Sequence, residues 1–515
     1  MNRRNFVKSV GLSGLATSFS LQPENVFGFQ PANASVHTTA NTDQVIRIDP
    51  KPLFELSPWL YMQFMEPLGV TDSSVEAAWD HQRDSWKTGV IEVTRDLAPG
   101  MVRWGGLLSA YYRWKEAVGP REKRVPLYNI SWGGYETNQV GTAEFVEFCR
   151  LVNAEPLLTV NFEAEGDPGF IQTRKGDIRS GDATEAAEWV DYCNNPKNAL
   201  RLEHGITDPL RVNIWQIGNE TSYSNRRFDR DTAVRKTVEF ANAMRKSDPT
   251  IKLIAWGEGG FAEKMINDAG DKIDYIAFHH MFDPGRPARD NEYRDDPAAT
   301  WEVLMNACKM HERKINMMRE QVVPYNFPLA MTECHFAVPG RNRCEFLSSW
   351  AAGISYARMA NVHERHGDLL KIATLADFCG TRWQVNALMI PVPSGRPYLM
   401  PVAKVMSLYR KFSGTNFVKT ETTGGLLDVT ASRTGDTVYL HIVNTSRTLP
   451  TTVQFLLEGM TIQSGMAHEI AGPPEFEIIR AENDPLTVKT KEIDILSPYV
   501  VPPASVTAIS LNCQI

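Results

Sequence analysis

The chain has no long run of lysine or arginine, and its formal net charge is -7. Both features disfavour a nucleic acid or an anionic membrane surface as partner. No stretch of about 18 apolar residues occurs, so no membrane-spanning helix is expected. Cysteine is sparse: seven residues, an odd number, without Cys-x-x-Cys spacing. A disulfide framework is therefore not expected in a chain this long. No zinc pattern is spelled out either. The stretch HERH (His363–His366) offers two histidines without a third ligand and reads as a solvated helix end. A glycine-rich phosphate loop is also missing, because WGEGG from Trp256 is too short and lacks the third glycine.

What is present is ordinary for a soluble globular protein, with 43% hydrophobic and 22% charged residues over 515 positions. That length fits one large domain plus a smaller one, or three modest ones. Twelve tryptophans point weakly to carbohydrate, whose C–H faces stack on indole, but tryptophan is also common core filler. At the N-terminus, Arg3 and Arg4 precede Phe6, Lys8 and the mildly apolar segment SVGLSGLATSFSL. This pattern resembles a twin-arginine export signal, with Ala32-Asn33-Ala34 as a candidate cleavage site, and residues 1–34 are read as signal and linker. A basic, unstructured N-terminus is the plainer alternative. The export reading predicts a periplasmic or extracellular protein, folded before transport and so tolerant of free thiols.

From residue 56 to residue 400, short apolar runs alternate with amphipathic ones. Candidate strands are WLYMQFME (from Trp59), MVRWGG (Met101), PLLTVNF (Pro156), VNIWQIGNE (Val212), IKLIAW (Ile251), DYIAFHHM (Asp274), PLAMTEC (Pro328) and IATLADF (Ile372). Helical spacing is evident in TAEFVEFCRLVN, in TEAAEWVDYC and from Glu345 to Glu364. Eight strands alternating with helices predict an α/β fold, a (β/α)8 barrel over 56–400, in preference to a doubly wound open sheet. Beyond it the texture becomes β-rich, with LLDVTASRTGDTVYLHIVNTS reading as a hairpin. A β-sandwich is expected over 401–515, to which residues 44–55 could add a strand.

In such a barrel, chemistry collects at the C-terminal ends of the strands. There the sequence places Glu66, Asn161, Asn219 with Glu220, His279 with His280, and Glu333. Two carboxylates on well-separated strands are what cleavage of a glycosidic bond requires. One gives a proton to the leaving oxygen, and the other meets the positive charge that develops at the anomeric carbon. Asn-Glu closing the fourth strand could otherwise be a turn and helix cap, and Glu66 could be a salt-bridged barrel residue.

These residues carry a family resemblance. Asn-Glu after the fourth strand and Glu after the seventh are similar to the clan of (β/α)8 retaining glycosidases. LYMQFMEPLG, WGGYETNQVGTAEFVEFCRLVNAEPLLTVNF, VNIWQIGNE, DYIAFHHM and LAMTECHF resemble, in order, the α-L-arabinofuranosidases of glycoside hydrolase family 51. The resemblance implies Glu220 as acid/base, Glu333 as nucleophile and Asn219 as the partner of the adjacent sugar hydroxyl. It further implies sugar contacts from Glu66 and from His279 or His280. Trp104, Trp132 or Trp383 could line the cleft, with Gln384 in shifted register near the eighth strand. The implied substrate is a plant or algal polysaccharide, with no metal or organic cofactor, and homo-oligomers are common in the family. Three positions depart from the family pattern: Pro67 stands where His is expected, Leu107 where a sugar-binding Asn is expected, and Cys334 where Trp is usual. Retained chemistry with altered specificity is the expectation, and another retaining glycosidase of the clan or a non-catalytic carbohydrate-binding barrel are the alternatives.

Overall fold

A computed structural model describes residues 43–66, 75–131, 134–171, 178–223, 228–288, 291–337, 345–381, 386–392, 394–482 and 484–514. Residues Thr42–Ile515 form one compact unit. The parallel strands follow the expected order: Gln63–Met65, Met101–Trp104, Glu155–Val160, Ile214–Ile217, Lys252–Trp256, Tyr275–Phe282 and Leu329–Phe336, each paired with the next. The eighth segment is split into Leu370–Ile372, which pairs with the seventh strand, and Asp377–Gly380, which pairs with the first. The expected eighth strand therefore contributes one piece beside the seventh strand and another beside the first in this curled sheet. All four residues of the second strand and all four of the fourth are buried, as expected of parallel strands covered on both faces.

Two elements differ from the sequence reading at their ends. The stretch from Trp59 opens as a 3-10 turn, Pro58–Tyr61, because Pro58 is set for a helical start and Ser57 accepts the Trp59 N–H. The long helix expected from Glu345 begins instead at Trp350, where the Ser349 hydroxyl accepts the Ala352 N–H and caps it.

The antiparallel region is one paired order of nine strands. Asp43–Glu55 lies inside it, antiparallel to Asn416–Thr422 and parallel to Thr451–Leu457. The helix Pro401–Lys411 precedes these later strands and packs against helices Thr88–Leu97 and Trp350–Arg365. The apolar interior of the antiparallel region includes Ile46, Ile48, Val418, Val438, Leu440 and Ile442.

Helix Trp350–Arg365 joins the two regions through buried polar groups, which corrects the reading of HERH as a solvated helix end. His363 and Glu364 are buried. Glu364 accepts from Tyr61 Oη at 2.6 Å and faces His441 Nδ1 at 2.9 Å. These partners, with the Thr430 hydroxyl, hold its carboxyl below the usual carboxylate range although burial pushes it upward. The antiparallel strands cover a helix face that would otherwise be wet.

Candidate active site

The fourth strand ends in a turn that only unusual backbone geometry permits. Gly218 has φ of +81°, and a Cβ there would stand 2.7 Å from the Thr221 hydroxyl. Glu220 itself is left-handed at φ 55°, a conformation that costs a residue with a side chain about 1–3 kcal/mol. The carboxylate of Glu165 holds this turn: it accepts the Asn219 N–H at 2.7 Å and the Thr221 hydroxyl at 2.6 Å. Glu165 is buried and sits in a left-handed stretch of its own, with φ of 47°, 54° and 55° at Glu163, Ala164 and Glu165.

Between the sixth and seventh strands the register slips by one residue, so that His279 lies beside Glu333 and His280 beside Cys334. A bulge of this kind re-aims the side chains that follow it. His279 Nδ1 is 3.2 Å from Glu220 and 3.6 Å from Glu333, and its Nε2 is 3.0 Å from the Thr332 hydroxyl. One terminal oxygen of Glu220, one of Glu333 and a His279 nitrogen all lie within 4.8 Å of each other. Burial pushes the His279 imidazole down to about 4, against the opposing pull of Glu333. The ring is therefore neutral near neutral pH. A neutral ring can donate from Nδ1 to an ionised Glu220, or accept there from a protonated one while Nε2–H faces Thr332. His279 suits both protonation states of its neighbour.

Arg103, in the second strand, ties the site together from below. Its guanidinium donates to Glu333 at 2.8 Å, to Asn219 Oδ1 at 2.7 Å and to Gln216 at 2.9 Å. With Arg103 wholly buried and Glu333 nearly so, the pair is a charge-assisted contact in a dry place, where it fixes geometry strongly. Glu258 adds an outer support, accepting from the His279 N–H at 3.0 Å and from Tyr223 Oη at 2.7 Å, with Lys314 on its other oxygen.

Of the residues singled out in the sequence, Glu220, Glu333, Asn219 and His279 are thus brought together. Glu66 is buried at the end of the first strand, where its carboxylate accepts the Leu107 N–H at 2.9 Å. Gly106, at φ +92°, lets the chain pass close to it; a Cβ there would collide with that carboxylate. His280 points away from the carboxylate pair, to His311. Burial drives His280 and His363 down to about 3, and His311 well below the usual range. Trp104 is core: buried against Tyr112 and Phe145, it replaces the expected cleft platform with packing. Asn161 staples a loop, donating to Tyr112 O and Arg179 O and accepting from Ala164 N. Trp132, Trp383 and Gln384 lie outside the described residues. Arg103, Gln216 and Glu165 escaped the sequence reading. Only Arg103 carried a signal, a lone charge inside the apolar strand MVRW.

A carboxylate pair thus stands at the strand ends of a curled parallel sheet, set on a buried arginine, an arrangement that can supply a proton donor and a nucleophile together. Residues 93–298 match the family model described as the alpha-L-arabinofuranosidase 1 domain. The chain is 28% identical to an intracellular exo-alpha-(1->5)-L-arabinofuranosidase of Acetivibrio thermocellus, over 44% of this chain and 46% of the relative. It is 30% identical to a probable alpha-L-arabinofuranosidase C of Aspergillus niger, over 41% of this chain and 40% of the relative. The matched segment thus spans less than half the length of these two relatives. The fold is that of the alpha-L-arabinofuranosidase from Thermotoga maritima (TM-score 0.72, 22% identity, covering 91% of this chain and 99% of that one). It is likewise that of the family 51 enzyme from Bifidobacterium longum (TM-score 0.76, 16% identity, 91% and 99%). Part of the chain is therefore similar in sequence to α-L-arabinofuranosidases, and its fold is shared with family 51 enzymes.

Proposed function

We propose that the protein is a retaining glycoside hydrolase on a (β/α)8 barrel, acting on α-L-arabinofuranosyl residues of plant or algal polysaccharide. The observation that carries this reading is the close approach of Glu220 and Glu333, with terminal oxygens within 4.8 Å. Retaining enzymes hold their carboxyl groups about 5–5.5 Å apart, whereas inverting ones leave about 6.5–9.5 Å for a water. Glu333, held by Arg103, attacks the anomeric carbon as the bond to the leaving oxygen breaks, and Glu220 delivers its proton to that oxygen. In the second step Glu220 takes a proton from water, which displaces the Glu333 carboxylate from the sugar. Asn219, fixed through its Oδ1 by Arg103, positions the neighbouring hydroxyl.

Leu107 supports a second reading, in which the same chemistry serves a different sugar. Its side chain stands where the family resemblance places an amide, and a site that hydrogen-bonds a hydroxyl discriminates far more steeply than an apolar one. Trapping with a 2-fluoro glycosyl inactivator, followed by peptide mapping, should label Glu333; a label elsewhere overturns the nucleophile assignment. A panel of aryl α-L-arabinofuranoside, β-D-xyloside, β-D-glucoside and β-D-galactofuranoside separates the two readings. We further propose export through the paired arginines. Replacing both Arg3 and Arg4 with lysine should hold the protein in the cytoplasm, and unchanged fractionation rejects that route.

A further inference from the structure

On the opposite face of the sixth and seventh strands from the carboxylate pair, His280 and Cys334 are register partners. Both meet His311 of helix Pro297–Val322. His280 Nδ1 is 3.0 Å from His311 Nδ1, and Cys334 Sγ is 3.9 Å from that same nitrogen. One donor atom from each residue lies within 4.8 Å of the other two, and all three residues are buried. Around one tetrahedral zinc, bond lengths of about 2.0–2.1 Å to nitrogen and 2.3 Å to sulfur set N···N near 3.3 Å and N···S near 3.6 Å. The cluster is within a few tenths of an ångström of both. Behind it, His311 Nε2 is 2.7 Å from His363 Nε2. A proton donated from His311 to His363 leaves the His311 Nδ1 lone pair facing its two neighbours, with an imidazole in the place where metal-bound histidines ordinarily have a carboxylate, carbonyl or water acceptor.

We propose that His280, His311 and Cys334 form a binding site for a borderline transition-metal ion of the Zn2+ type, with water as fourth ligand. Two imidazole nitrogens and a sulfur suit such an ion and do not suit calcium or magnesium, which require oxygen. On binding, the Cys334 thiol releases its proton to solvent, and the thiolate and both imidazoles each donate an electron pair. No atom changes oxidation state. His280 follows His279 and Cys334 follows Glu333, so the ion clamps together the two strand ends that carry half of the carboxylate site. The proposal stands whether or not the sugar assignment does.

The test uses the full chain and Co2+, a spectroscopic substitute for zinc. After dialysis, one Co2+ per chain should remain, with a sulfur-to-cobalt charge-transfer absorption and the intense visible bands of tetrahedral coordination. Cys334→Ser should abolish the charge-transfer band, and His311→Gln should abolish retention of the ion. A parent protein without the charge-transfer band shows that hydrogen bonds alone account for the cluster and overturns the site. Persistence of that band in Cys334→Ser overturns it equally. The parent spectrum decides the matter even if a variant fails to fold.

Discussion

Arg103 and Leu440 are both completely buried, yet one grips three polar groups and the other sits among Val438, Ile442 and Ile509. The strand ends of the parallel sheet carry charge in a dry place, while Leu440 belongs to a cluster of apolar side chains in the antiparallel region. Each arrangement fails differently. An apolar interior loses contacts roughly in proportion to the volume removed. A buried polar network loses much more when one member is removed, because the remaining partner is stranded. The strand ends of the parallel sheet should therefore govern rate, and the apolar cluster of the antiparallel region stability.

The sharpest way to break that comparison is Glu333→Gln. It should lower kcat by about four orders of magnitude, equivalent to about 5 kcal/mol of transition-state stabilisation. Single-turnover kinetics would expose any smaller loss. Leu440→Ala should lower unfolding free energy by about 2–5 kcal/mol while kcat per folded molecule stays unchanged. A tenfold drop in that kcat would show that the two regions are coupled through helix Trp350–Arg365.

Acid should act first on the parallel sheet. With the His279 pKa lowered to about 4, the unfolded chain binds more protons than the folded one between pH 6.5 and 4. Stability is then full above about 6.5, falls as pH drops through that window, and levels off for this group below 4. A shift of that size corresponds to about 3 kcal/mol. Burial lowers His335 to about 4 as well, so it loses stability over the same window. Urea midpoints across this range check the direction, and midpoints that rise on acidification would contradict it. The smallest expected effect is that of Glu165→Gln, which should lower kcat about tenfold with little change in KM, by loosening the turn that presents Glu220.

The polar strand ends were legible because alternation marks where a buried strand stops, and a carboxylate at that point has few structural uses. Glu220 and Glu333 stand out as candidates on that ground. Arg103 does not stand out, because periodicity does not say that a charge inside an apolar run has a carboxylate waiting across the sheet. HERH was misread for a related reason: what buries Glu364 is strands Leu427–Thr434 and Thr437–Asn444, more than sixty positions away. Trp104 was ambiguous in principle, since a cleft platform and a core ring have the same local sequence. The apposition of His280, His311 and Cys334 has no sequence signature, because it depends on which face a one-residue bulge turns each side chain toward.

Asp43–Glu55 also fixes an order of events during synthesis. Ile46 pairs with Thr422, and 422 − 46 = 376 positions separate them. At about 5–20 residues added per second, this strand leaves the ribosome roughly 20–75 s before its partner exists. The parallel sheet has time to assemble in that interval, while an early strand of alternating apolar residues waits with its edges exposed. Completion of the antiparallel region is thus a late closing step, and Arg47, Asp49 and Lys51 set charge along the waiting strand, the kind of placement that blunts an exposed edge.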